Sequence, residues 1–275
     1  MTAIKAWFAV GERFFPRRAA SRAVRMWMRV PPPPPSSRRD RGVPPGEPLD
    51  INIDGRPINA LSWGSGPVIA CAHGWGAWWQ QFSVYIEPLT AAGFRVVCWD
   101  APSHGESAPG QFGPGRSGMP DLTAAIEAVA AQLGPLHGLI AHSGATLAAP
   151  QAMRSGVRPG RVAFISTSVA ASDQLAYFSG LLGWGPRTVQ QAREQIEQQF
   201  AVKMAEWELL DLLPAELPTL LMLQAEQDAQ TPLASAQRLA ERWPGARLRI
   251  TADHDHHRIL WASWTRDQVV DFMRA

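Results

Sequence analysis

Four short loops in this 275-residue chain carry side chains whose types and order suit nucleophilic acyl chemistry. The first is AHSGA, residues 141–145, where Ser143 stands between an apolar run, HGLIAHS, and a helix-like stretch beginning ATLAAP. A sharp strand-to-helix turn exposes the serine oxygen, and it needs small neighbours such as Ala141 and Ala145 because backbone passes close by. The following helix also aims its positive end at a developing oxyanion. Alone, a serine among small residues before a helix is also a common turn.

The second loop is AHGWG, residues 72–76, after PVIACAH. A His73-Gly74 turn at a strand end can direct the backbone N–H of Trp75 into a site, and with the N–H of Gly144 it would complete an oxyanion hole. The third is QAEQDAQTP, residues 224–232, where Asp228 follows the run TLLMLQA and precedes a helix primed by Pro232. A carboxylate there can accept a hydrogen bond from an imidazole and stabilise its charged form. A capping or turn aspartate has the same pattern, and Glu226 is the nearest substitute. The fourth loop, ADHDHHRIL at residues 252–260, offers three histidines as the base. Its His254, Asp255, His256 and His257 lack a partner cluster with metalloenzyme spacing, so neither metal nor cofactor is expected.

These loops need a frame that gathers them. INI and PINALSW, joined by Asp54-Gly55, read as a β-hairpin. Beyond it, apolar runs alternate with helical stretches: PVIACAH, FRVVCWD, HGLIAHS, RVAFIST, TLLMLQA and RLRIT, with helices around 78–91, 121–132 and 145–155 and a closing helix near Trp264. Continuous apolar strands separated by helices mean a mostly parallel central sheet flanked by helices, the α/β class, with active groups at the carboxyl ends of its strands. About fifty residues between RVAFIST and TLLMLQA are too many for one crossover, and read as a small helical cap over about 172–213. Trp184, Trp207, Tyr177 and Phe178 on that cap, with Trp75, Trp78 and Trp79 opposite, would make an aromatic-lined pocket.

The motifs GPVIACAHGWGAWWQQF, AAGFRVVCWDAPSHGES, GPLHGLIAHSGAT and HHRIL together resemble the α/β-hydrolase superfamily, in particular its bacterial α/β-fold serine hydrolases, over about residues 49–274. The resemblance implies Ser143 as nucleophile, Asp228 as acid and His256 as base, with His257 the runner-up and His254 third. Asp255 stands where this branch commonly has a glycine, which can serve a conformation that aspartate tolerates less well. Gly144-Ala145 stand where a larger residue and a glycine are usual. WDAPSHGES fits a superfamily turn in which Asp100 and His104, like His73 and Gly74, have supporting roles. The implied activity is hydrolysis of an ester, thioester or related acyl bond of a small apolar substrate. The alternative is a non-catalytic member of the fold that binds a ligand or partner.

Composition sets the remaining bounds. The two cysteines, Cys71 and Cys98, both fall in strands and read as buried free thiols. Net charge is only +2, but residues 1–41 hold ten Lys/Arg against two Asp/Glu, and the rest holds 16 against 22. Residues 1–30 thus form a basic amphipathic arm, one or two helices broken near Pro16, with Ile4, Trp7, Phe8, Phe14 and Phe15 on an apolar face. Such an arm would dock on its own or a neighbouring subunit, or make peripheral membrane contact. Residues 31–48, with five consecutive prolines, read as an extended polyproline linker before a domain spanning 49–275. No run approaches the roughly 20 apolar residues of a membrane span, the first thirty residues are too arginine-rich for a secretory signal, and an acidic body argues against nucleic acid. The expected location is cytoplasmic.

Overall fold

Near-continuous burial along the central strands explains the architecture. In the computed structural model, which describes residues 2–32 and 42–275, eight strands form one sheet in the order β1-β2-β4-β3-β5-β6-β7-β8. β1 (Glu47–Ile53) and β2 (Arg56–Trp63) are the hairpin, and β2 runs antiparallel to β4 (Arg95–Trp99). β3 (Val68–Ala72), β5 (Leu136–His142), β6 (Arg161–Ile165), β7 (Thr219–Ala225) and β8 (Arg247–Thr251) are parallel to β4.

Side chains leave each strand alternately to opposite faces, and both faces are covered. Ala70, Val97, Leu139, Phe164 and Met222 enter one apolar layer, shared with α4 (Met119–Leu133), α5 (Ala145–Arg154) and α8 (Leu233–Arg242). Ile69, Cys98, Ile140, Ile165 and Leu223 enter the other, shared with α3 (Ser83–Ala91) and the terminal helices α9 (Arg258–Trp261) and α10 (Ser263–Arg274). Cys71 pairs in register with Cys98, both as buried free thiols. The strand run begins at Glu47, two residues before the sequence expectation, because Glu47 and Pro48 already lie opposite Ser62 and Leu61. A proline is tolerated there at the start of an edge strand. The polyproline reading falls largely on 33–41, outside the described residues.

The cap consists of α6 (Ala171–Leu182), α7 (Pro186–Phe200) and a 3₁₀ turn (Met204–Trp207). Against it lies the basic arm, as α1 (Thr2–Phe14) and α2 (Pro16–Trp27). Proline at the first position of α2 lacks only an N–H that has no intrahelical partner there. Ala19, Ala20 and Ala23 are fully buried, and such small side chains let α2 approach α7 closely. Glu12 accepts from the N–H groups of Arg187 and Thr188 at 2.8 Å each, capping the start of α7. Ile4 and Trp7 pack into the core that holds the wholly buried Phe8, whose ring meets Trp7 at 5.1 Å and Trp184 at 5.8 Å, while Phe15 lies against Trp7 at 5.9 Å. Phe14 departs from the expected apolar face and is 70% exposed. Six residues beyond Phe8, the helix has carried it about a third of a turn away from the packing side.

Candidate active site

Each loop singled out in the sequence follows a strand at the same edge of the sheet. Ser143 follows β5 with φ of +53°, a left-handed conformation that costs a non-glycine residue roughly 1–3 kcal/mol. Its N–H donates to the carbonyl of Ile165 at 3.0 Å, which pins the strained turn to β6. Gly74 permits the close approach this needs, since a Cβ there would lie 2.9 Å from the Cβ of Ser143 and 3.0 Å from the carbonyl of His142. Gly144 has more room, with Met119 the first contact of an added Cβ at 3.3 Å. This is why the larger residue usual at that position is sterically admissible.

His256 Nε2 lies 2.9 Å from Ser143 Oγ, and its Nδ1 lies 2.7 Å from Asp228 Oδ2. Asp228 is buried yet saturated: Oδ1 accepts from the N–H groups of Gln230 and Thr231 at 2.8 and 2.9 Å, and Oδ2 accepts from the Thr231 hydroxyl at 2.7 Å. Burial pushes its pKa up, but the bonds from His256 and Thr231 outweigh that and hold it at about 2. The carboxylate is therefore ionised at neutral pH and favours an Nδ1–H tautomer, which turns the Nε2 lone pair toward Ser143 Oγ.

The other candidates lie elsewhere. His257 lines the cleft, but its Nε2 is 3.4 Å from the side-chain amide of Gln230 and makes no bond to Ser143 or Asp228. His254 turns to the Thr251 hydroxyl at 3.2 Å, and Glu226 is exposed. Asp255 needs no special backbone. Its φ is not positive, and its carboxylate accepts from the N–H groups of His257 and Arg258 at 3.0 and 2.8 Å, capping α9.

Of the supporting residues Gly74 lines the cleft, while His73, Asp100 and His104 hold loops behind it. His73 donates from Nδ1 to the Gly74 carbonyl at 2.7 Å and accepts at Nε2 from the N–H of Ala101 at 2.9 Å, tying the β3 loop to the β4 loop. Burial lowers its pKa to about 4, and burial, with His73 close by, lowers that of His104 to about 3. Both rings are thus neutral at pH 7. Asp100 accepts from the N–H groups of Trp79 and Glu106 and from the Asn59 amide at 2.8–3.0 Å. Gly105, at φ +48°, has no space for a Cβ beside that carboxylate.

Trp75 and Gly144 line the cleft with Ser143 and His256. Among the described residues, no protein acceptor takes the backbone N–H of Trp75 or of Gly144. The cleft encloses about 840 Å³, partly open to solvent, beneath Phe178 of the cap. The expected aromatic lining is only partly present. Trp184 and Trp207 are buried in packing, and Trp79 lies against Trp63. Of the expected set, Phe178 and Trp75 face the cleft, joined by Trp27 from the arm.

Several contributors escaped the sequence reading. His142 donates from Nε2 to the carbonyl of His256 at 3.2 Å, and Ser166 donates from its hydroxyl to the same oxygen at 3.1 Å. Gln224 donates to the Thr231 carbonyl at 2.7 Å. The position of Gln224 at the end of a buried apolar strand was the available signal, since a buried amide must find partners. Trp27 gave no signal at all. Its place depends on Met28–Val30 pairing with residues 115–117, through Val30 N–H to Gly115 O and Ser117 N–H to Met28 O at 3.0 Å each.

Residues 69–272 match the model of the Alpha/beta hydrolase family. The chain belongs to that family. Its fold is similar to an esterase from Pyrococcus furiosus, with TM-score 0.65 and 16% identity over 90% of this chain and 97% of that one. It is also similar to an esterase from Exiguobacterium antarcticum, with TM-score 0.64 and 18% identity over 84% of this chain and 100% of that one. A third likeness is to the thioesterase domain of the curacin biosynthetic pathway, with TM-score 0.61 and 17% identity over 84% and 99%. No curated protein sequence matches significantly. Among the described residues of this alpha/beta hydrolase, no helix is long and apolar enough to cross a membrane.

Proposed function

We propose that this alpha/beta hydrolase is a serine hydrolase acting on an ester, thioester or related acyl bond of a small apolar substrate. The single observation that carries the reading is the continuous chain Ser143–His256–Asp228, with contacts of 2.9 and 2.7 Å. In the first half-reaction, His256 Nε2 takes the proton of Ser143 as Oγ attacks the acyl carbon. Asp228 stabilises the imidazolium so formed, and the free N–H groups of Trp75 and Gly144 bind the oxyanion. His256 then protonates the leaving group as it departs, and an acyl-enzyme remains on Ser143. In the second half-reaction the same imidazole takes a proton from water as it attacks the acyl carbon, and returns that proton to Ser143 Oγ as the Oγ–acyl bond breaks and the acid leaves. The esterase and thioesterase folds named above support an acyl substrate by analogy.

A pre-steady-state burst tests this reading. Mixing the protein with p-nitrophenyl acetate should release about one equivalent of nitrophenol per Ser143 before the steady rate, with an acetyl mass increment on that serine. A folded protein that never releases nitrophenol would favour a ligand-binding role without turnover.

A further inference from the structure

The arm has two sides, and the fold covers only one of them. On α1, Phe8 and Gly11 are buried, with Ile4 and Trp7 half-buried beside them. Ala3, Ala6, Val10 and Phe14 recur at spacings of three and four, which places them along a second stripe of the same helix. All four are exposed, Val10 by 50% and Phe14 by 70%. Among the described residues, the exposed large apolar side chains are these two with Leu181 and Ile250. Leu181 ends on the cap beside the arm, where Lys5 stands over Gly183, so exposed apolar surface gathers at this one place.

Cations flank the stripe. Residues 2–32 hold seven Lys/Arg and a single acid, Glu12, whose carboxylate is turned to the N–H groups that start α7. Lys5, Arg13, Arg17, Arg18, Arg25 and Arg29 are exposed, and none makes an ion pair among the described residues. Arg13 lies over the Phe14 ring at 5.6 Å, and Arg22 over the Trp7 ring at 4.3 Å. The second contact brings the outer face of α2, where Arg18, Arg22 and Arg25 align at spacings of four and three, alongside α1.

We propose that the outer face of the arm is a docking surface for an anionic phospholipid bilayer, with Val10 and Phe14 entering the headgroup region and Arg13, Arg18 and Arg25 against the phosphates. Like charges gathered without counterions repel one another, and an anionic surface relieves that repulsion. Charge alone would suit any polyanion. Exposed apolar side chains between the cations suit a surface with an apolar layer beneath its charged one, which is the composition of helices that lie in a membrane interface. Each cation held near an anionic leaflet is worth about a fivefold gain in binding, so three together are worth about a hundredfold. Neither Phe14 nor any of the exposed cations lines the catalytic cleft, and the proposal does not depend on turnover at Ser143.

Sedimentation of the full chain with lipid vesicles tests the surface. The wild type should bind phosphatidylcholine vesicles containing about 30% phosphatidylglycerol roughly tenfold or more tightly than vesicles of phosphatidylcholine alone. Raising salt from about 0.1 to about 0.5 M should release it, because screening shortens the reach of the charges. The triple variant Arg13→Gln, Arg18→Gln, Arg25→Gln should bind the anionic vesicles about a hundredfold more weakly. Phe14→Ser keeps every cation and should bind about tenfold more weakly, through the loss of one inserted ring. The replaced side chains are all exposed, so thermal melts of both variants should match the wild type and separate lost binding from lost folding. Binding to neither vesicle, equal binding to both, or wild-type binding by either variant would overturn the docking surface. Retention on a heparin column without vesicle binding would point to a soluble polyanion and overturn it as well.

Discussion

The floor and the roof of the cleft hold their residues by different means. On the floor, Ser143, His256 and Asp228 come from three separate strand ends, and directional bonds of 2.7–3.0 Å fix them. The carbonyl of His256 alone accepts from His142 and Ser166, so the imidazole is held through its backbone as well as its ring. On the roof, Trp27 and Phe178 belong to helices seated largely by apolar packing of the arm on the cap, with hydrogen bonds only around it, between Glu12 and the start of α7 and between Met28–Val30 and residues 115–117. Hydrogen-bonded groups tolerate little displacement, whereas packed ones yield by small steps. Changes to the floor should therefore act on kcat, and changes to the roof on stability, affinity and choice of substrate.

The sharpest break is expected at Ser143. Ser143→Ala should lower kcat by about 10⁶-fold while leaving the melting temperature unchanged or raised, because a left-handed serine is not a source of stability. Steady-state assay with a calorimetric melt checks both halves. Asp228→Asn should keep the contact to His256 but favour the wrong tautomer, and lower kcat by about 10⁴-fold.

The roof should respond differently. Phe8 is wholly buried between arm and cap, and Phe8→Ala should cost about 3–5 kcal/mol by urea unfolding while kcat for an acetate ester stays within about twofold. A fall in kcat as large as that of Asp228→Asn would erase the distinction between roof and floor.

The smallest effect concerns pH. His73 and His104 have folded pKa values of about 4 and 3, below the ordinary 6.5. The unfolded chain binds their protons first as pH falls, so stability should decline from about pH 6.5 down through 4. The Asp228 contribution, present above its ordinary 3.8, should be lost later, as pH drops through about 2. Melting temperature followed from pH 7 to pH 3 should show the earlier loss, and His104→Gln should reduce it. A flat profile between pH 6.5 and 4 would contradict the burial of two neutral rings.

The floor was legible in the sequence for a physical reason. Its residues follow apolar runs such as HGLIAHS and TLLMLQA, and a parallel sheet necessarily gathers the ends of such runs at one edge. Where several histidines competed, spacing alone could not choose between His256 and His257. Only one of the two rings spans the gap from Ser143 to Asp228, and this is a property of three-dimensional direction. The roof was legible only in part, since Phe178 was among the cap aromatics expected to line the pocket and Trp27 was not. Trp27 meets Phe200 across more than 170 positions, and no periodicity encodes a contact between an arm and a cap. Phe14 and Trp184 show the same limit from either side: one is an apolar residue that faces solvent, the other a supposed pocket residue that lies against Phe8.

The central claim is that His256, held by Asp228, activates Ser143. Reaction of the full chain with a fluorophosphonate, followed by intact mass and peptide mapping, tests it most directly. The account predicts one adduct per chain, on Ser143, formed rapidly by the wild type, absent in Ser143→Ala and severely slowed in His256→Ala. Labelling at another residue, or equal labelling of His256→Ala, would contradict it.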